Sequence, residues 1–240
     1  MLKRFALGLL VLCGVLFGSP QPALAQQTLN FNFGYFSVRG EDARLDRDGD
    51  RDRDVLLANR TFLTFEVDEM SGGTAGVEWL IPLGNYIEAG AGIAYSRRTV
   101  PSVYTGFQAN DGSEIAQDLR LRIIPTALTF RVLPLGQSSA FQPYIGGGLG
   151  IYNWRYSETG DFIDFGSSNR RVIRGSFVAS GTETAPMALA GIRVAGDSLS
   201  VGGEVRYQQA EGEVGEEFAA DKIDLGGWVY QLTVGLRFGR

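Results

Sequence analysis

Ten ionic residues set the chemical problem in this sequence: Glu78, Glu88, Asp118, Arg120, Arg122, Arg131, Arg193, Glu204, Arg206 and Arg237. Each sits in a run where polar and apolar residues alternate, so each shares a strand face with other polar side chains. Such groups meet only if the strands wrap around a common axis. Enclosed there, they must pair, because an isolated buried ion costs far more than an ordinary interaction returns. Beyond residue 25 every basic residue except Lys222 is arginine, whose planar fork suits bidentate pairing with carboxylates. Glu88 and Arg131, near the same ends of neighbouring runs, are the first expected pair.

Two further groupings carry possible chemistry. Asp46, Asp48, Asp50, Asp52 and Asp54 alternate with arginines, and repeated carboxylates can hold Ca²⁺. The match to a calcium loop is poor. Its glycine is misplaced, no glutamate closes it, and the arginines repel a cation and can pair with the aspartates. A solvated charged loop is the expectation, with Ca²⁺ as the alternative and no other cofactor. Phe162, Phe165, Arg170, Arg171 and Arg174 combine apolar and basic groups suited to a loop contact, with lipopolysaccharide phosphates or a partner surface as candidates. Histidine is absent and Cys13 is the one cysteine. Imidazole catalysis, imidazole metal ligands and disulfides within the chain are therefore excluded, and no enzymatic activity is expected.

The elements that must position these residues are strands. Residues 1–25 read as a secretory signal: Lys3 and Arg4, an apolar run from Phe5 to Phe17, and Ala23-Leu24-Ala25 before Gln26. Residues 26–240 form one domain. The net charge of −5 becomes −7 without the signal's two basic residues, which argues against nucleic acid as a partner. Period-2 alternation predicts eight strands, at about 29–38, 73–82, 86–97, 118–133, 142–157, 185–195, 199–209 and 224–238. Tight turns near 82–85, 134–140 and 196–198 alternate with polar loops at 39–72, 98–117, 158–184 and 210–223. Residues 55–70 read as a short helix or a hairpin extension within the first loop, outside any membrane. Leu119, Leu121 and Ile123 are odd-numbered whereas Leu128, Phe130 and Val132 are even-numbered, so a β-bulge is expected at Ile124-Pro125-Thr126.

Strict alternation of short and long connections is the pattern of an outer-membrane barrel, with short periplasmic turns and long extracellular loops. Alternating faces alone would also suit a soluble barrel. The aromatic residues Trp79, Tyr95, Tyr207, Trp228, Tyr230 and Phe238 fall toward strand ends on the apolar face, as interfacial girdles do. The expected fold class is all-β: an eight-stranded antiparallel up-and-down transmembrane β-barrel. A lumen of that size is filled by side chains.

Tyr86-Ile87-Glu88-Ala89-Gly90-Ala91-Gly92-Ile93 is echoed by Tyr144-Ile145-Gly146-Gly147-Gly148-Leu149-Gly150-Ile151, each copy following a Pro-Leu-Gly turn. With the Pro143–Gly150 strand, the signal segment and the amphipathic final strand ending at Phe238, the chain resembles the OmpA-, OmpX- and OmpW-like small outer-membrane barrels. The resemblance implies a monomer in the outer membrane of a diderm bacterium, surrounded by outer-membrane lipids and inserted by the assembly machinery that reads the last strand. It implies a structural or surface-interaction role through the loops, or alternatively a passive OmpW-like channel for small or apolar solutes. The fold hosts many roles, so it does not select among them.

Overall fold

The computed structural model describes residues 26–44, 54–164 and 170–239. The expected signal segment, Asp46, Asp48, Asp50, Asp52 and Phe165 lie outside these residues. Eight strands form one antiparallel ring: β1 (Gln27–Val38), β2 (Gly72–Pro82), β3 (Ile87–Gln108), β4 (Glu114–Val132), β5 (Phe141–Ile163), β6 (Val172–Ala195), β7 (Leu199–Gln208) and β8 (Gly227–Phe238). Neighbours in sequence are neighbours in the sheet, and β8 pairs back onto β1 from Gln27↔Phe238 to Val38↔Gly227. The ring therefore has no free edge along which another chain could add.

Three tight turns close one end. Gly84 (φ 100°) and Gly136 (φ 71°) take left-handed backbone there that a side chain would strain, and Gly196 N–H donates to the Leu199 carbonyl at 2.8 Å. The other end carries the first-loop segment, which is both of the expected alternatives at once. A single helical turn, α1 (Val55–Asn59), is followed by a two-residue strand, Leu63–Thr64, paired to β3 at Tyr104 and Val103.

Outward positions form an apolar belt: Phe33, Ile93, Leu128, Phe130, Leu149, Val201 and Leu232 all point away from the axis, Leu232 with 68% of its surface exposed. On β3 to β5 the belt occupies about eight to ten residues per strand, which at ~3.3 Å rise and ~40° tilt gives a height of roughly 20–25 Å. Tyr207 and Trp228 stack obliquely at 4.8 Å between ring centres at its long-loop edge, near outward Tyr95 and Tyr230. Trp79 and Phe238 face outward toward the tight-turn end.

Two expectations about strands are corrected. Residues 98–117 and 158–184 are mostly strand, not loop: β3 to β6 continue well past the belt, and β3 joins β4 through 109–113 alone. The expected bulge at Ile124-Pro125-Thr126 is absent, since β4 pairs with β5 without a shift from Gln117↔Gly160 to Val132↔Ile145. Odd-numbered residues of β4 face inward throughout. What changes along the strand is the surroundings. Leu119, Leu121 and Ile123 point into an apolar upper interior, whereas Leu128, Phe130 and Val132 point outward into the belt.

Candidate functional site

The lower interior is filled by charge. Arg131 on β4 donates to Glu78 of β2 at 2.7 Å and to Glu204 of β7 at 2.8 Å. Arg206 of β7 donates to Glu78 at 2.7 Å and also pairs with Glu204. Thr129 Oγ1 donates to Glu78 Oε1 at 2.9 Å and Gln231 Nε2 to Glu204 Oε1 at 2.9 Å. Two guanidinium groups thus meet two carboxylates, a neutral square in which each ion has more than one partner. Gly90 makes room for it, because a Cβ there would lie 2.4 Å from Thr129 Oγ1 and 2.8 Å from Glu78 Oε1.

Nearer the tight turns, Arg193 of β6 clasps Glu88 of β3 with both Nη atoms, at 3.0 and 2.9 Å, and its Nε donates to Gln142 at 2.6 Å. The expected Glu88–Arg131 pair is therefore corrected. Their backbones are partners across β3 and β4, but both side chains reach across the lumen to other strands. The Tyr144 ring lies between the two sets, 5.3 Å from the Arg131 guanidinium and 6.0 Å from that of Arg193, a cation–π placement.

The upper interior is apolar. Leu119, Leu121, Tyr152, Trp154 and Ala179 line it, and α1 packs against them with Val55 and Leu56 fully buried. Asp54 caps α1 by accepting from the Leu56 and Leu57 amides at 3.0 and 3.2 Å. Its other oxygen takes Arg44 Nη1 and the Asp224 amide, both at 2.9 Å, and Arg39 binds the Asp224 carboxylate at 3.0 Å. The first loop is thereby tied to the fourth, whose Phe218, Ile223 and Leu225 fold inward over the helix. At the other end of α1, Asn59 Nδ2 donates to Glu158 Oε1 at 2.6 Å, and Tyr156 donates to the same oxygen at 2.9 Å. Burial pushes the Glu158 carboxyl above its ordinary range, with the Asn59 and Tyr156 hydrogen bonds opposing. Between the two floors, the space among Asn32, Thr74, Ala127 and Gln208 amounts to about 40 Å³, room for a few waters at most.

Three residues expected in the lumen network stand elsewhere. Asp118, Arg120 and Arg122 are even-numbered residues of β4 and face outward beyond the belt, because the upper interior receives the leucines instead. Arg237 keeps the inward face of β8 as expected, half-buried at the tight-turn rim, where it donates to the Gly196 carbonyl. Of the loop group, Phe162 packs edge-on against Phe177 at 4.8 Å and the Arg170 guanidinium sits 5.3 Å from the Phe107 ring, while Arg174 is opposite Asp161. Among the described residues no group of three acidic side chains is placed to hold a metal ion, and Asp54, the fifth aspartate of the alternating Asp-Arg run, caps α1. Sequence reasoning passed over Arg97 and Arg155, which flank Arg122 on the outer wall. Only the cross-strand register brings them together.

Removing one member of the neutral square strands a buried carboxylate. Arg131→Met or Arg206→Ala is expected to destabilise the folded barrel by about 3–5 kcal/mol, whereas outward Arg122→Ala, which removes a like charge from between Arg97 and Arg155, should not destabilise it, both read from urea unfolding midpoints in detergent. Glu158 supplies a pH test. Its folded-state pKa is raised, so stability present below the ordinary carboxylate range is lost as pH rises through the raised value. Glu158→Gln keeps an acceptor for Asn59, so it should raise the midpoint at neutral pH and leave it unchanged in acid.

No family model matches the sequence, and neither does any curated protein. Among solved structures, the outer membrane protein OprG from Pseudomonas aeruginosa aligns with 90% of this chain and 97% of its own, at 15% identity and a TM-score of 0.52. Neisserial surface protein A aligns with 89% of this chain and 97% of its own, at 11% identity and a TM-score of 0.46. What the chain shares with OprG is its fold, that of the small eight-stranded outer-membrane β-barrels.

Proposed function

We propose that this chain is a non-enzymatic outer-membrane β-barrel whose role is structural and in surface contact, made through the strand extensions and loops at its long-loop end. The observation that carries the reading is the inside-out distribution of side chains. Phe33, Leu128, Phe130 and Leu232 stand outward in a continuous belt, while Glu78, Arg131, Glu204 and Arg206 are sequestered on the axis. A protein in water has the opposite preference, since an exposed apolar belt of this extent requires a cover, and a bilayer supplies one of the same height. The signal-like residues 1–25 support export to the envelope.

A passive channel would need a continuous polar path. Here α1 and the fourth loop fill the upper interior, and the ionic square fills the lower one. The reading accordingly favours a closed barrel whose working surface is external. The chain reconstituted in planar lipid bilayers should insert and remain electrically silent. Steady unitary conductance would favour the channel, and a compact species that stays dissolved without detergent would overturn the membrane reading altogether.

A further inference from the structure

On the outer wall, just beyond the belt, three arginines stand side by side on adjacent strands. Arg97 of β3 is the direct cross-strand partner of Arg122 of β4, and Arg122 is the direct partner of Arg155 of β5. Arg120 stands one outward position further along β4, its Nε donating to Thr99 Oγ1 at 3.1 Å. Adjacent strands lie about 4.8 Å apart, so three like charges sit within roughly 10 Å of one another. Like charges directly opposite each other destabilise a sheet. Among the described residues none of these four arginines is in an ion pair. The Nε of Arg122 is also buried without a hydrogen-bond partner. Asp118, one outward position past Arg120, and Glu114 at the start of the strand are the carboxylates continuing that face of β4. The arginines surround a hollow of about 280 Å³ whose lower lip is Tyr95 and whose upper lip includes Ser157 and Thr159.

We propose that Arg97, Arg122 and Arg155, with Arg120 above them, bind the phosphate groups of a glycolipid in the leaflet surrounding the long-loop end. Depth selects this occupant over a soluble anion. Outward Tyr95 is two residues before Arg97, outward Ile124 two residues after Arg122, and outward Ile151 four residues before Arg155. The charged row therefore lies at headgroup level. A molecule whose acyl chains cover the belt presents its phosphates to the guanidinium groups without leaving the bilayer. Arginine forks take phosphate oxygens bidentately, and a phosphate at Arg122 would supply its orphaned Nε–H with an acceptor. Two phosphates on one sugar headgroup match a row three strands wide better than a single phosphodiester does. The inference rests on the membrane reading above and adds to it a ligand class and the residues that hold it.

The test reconstitutes the full chain into phosphatidylcholine vesicles doped with diphosphoryl lipid A or with its dephosphorylated form, and measures the lipid A that remains with the protein after extraction. The wild type should retain the diphosphoryl form selectively, and retention should fall steeply with added salt. Replacing Arg97, Arg122 and Arg155 by Gln should weaken it about a hundredfold, each basic residue at an anionic surface being worth a factor of about five. Unchanged heat-modifiable migration on gels checks that the variant folds; should it fail to fold, the salt dependence and phosphate selectivity of the wild type decide alone. Equal retention by variant and wild type, salt-insensitive retention, or competition by inorganic pyrophosphate at similar affinity would each overturn the proposal while leaving the barrel in its bilayer. Failure of the wild type to incorporate at all would remove the membrane reading and the proposal together.

Discussion

A closed ring of eight strands is too narrow to hold open water and too regular to change its pairing partway along. Once β4 is locked against β5 from Gln117↔Gly160 to Val132↔Ile145, the side of the wall occupied by each residue is settled along the whole of that pairing. The sequence can then adapt only by changing what stands at each level. The chain does so three times around one axis. At belt height the inside is ionic and the outside apolar. Above the belt the inside is mostly apolar and the outside polar, with a row of arginines next to the belt. At the tight turns the Arg193–Glu88 clasp seals the interior.

The two interior fillings solve the same problem by different means. In the lower one, charge neutrality and shared partners let four ions be buried together, since each carboxylate of the square meets both guanidinium groups. In the upper one, α1 supplies the bulk that the strands lack. Five helical residues cannot be stable alone, so α1 depends on its ties: Asp54 at its start, Asn59 at its end, and Val55 and Leu56 against the wall.

The sequence was legible wherever local pattern and surroundings agreed. The strand set, the three tight turns and the outward apolar face of β8 were readable from period-2 alternation and turn residues. The upper halves of β3 to β6 were not. There the alternation is inverted, with Val100, Tyr104, Leu119 and Tyr156 pointing inward and Thr99, Arg120 and Arg155 pointing outward. Set beside the belt, that inversion imitates a register break, which is why Leu119 and Leu128 suggested a bulge that the pairing does not contain. The side-chain partners of Glu88 and Arg131 were equally hidden, because in a narrow barrel a long side chain reaches across the lumen as easily as to the next strand. Likewise the Arg97–Arg122–Arg155 row joins residues far apart in sequence, and only the pairing of β3, β4 and β5 brings them together.

The central claim, one unbroken register passing through three environments, is tested most directly by a spin-label scan along β4 from 115 to 132 in lipid vesicles. Accessibility to apolar oxygen and to a water-soluble nickel reagent would be measured at each position. Odd-numbered positions should be shielded from both throughout. Even-numbered positions should respond to oxygen from 126 to 132 and to nickel at 118 and 120. A change of phase at 124–126, with odd-numbered positions becoming accessible above it, would contradict the account.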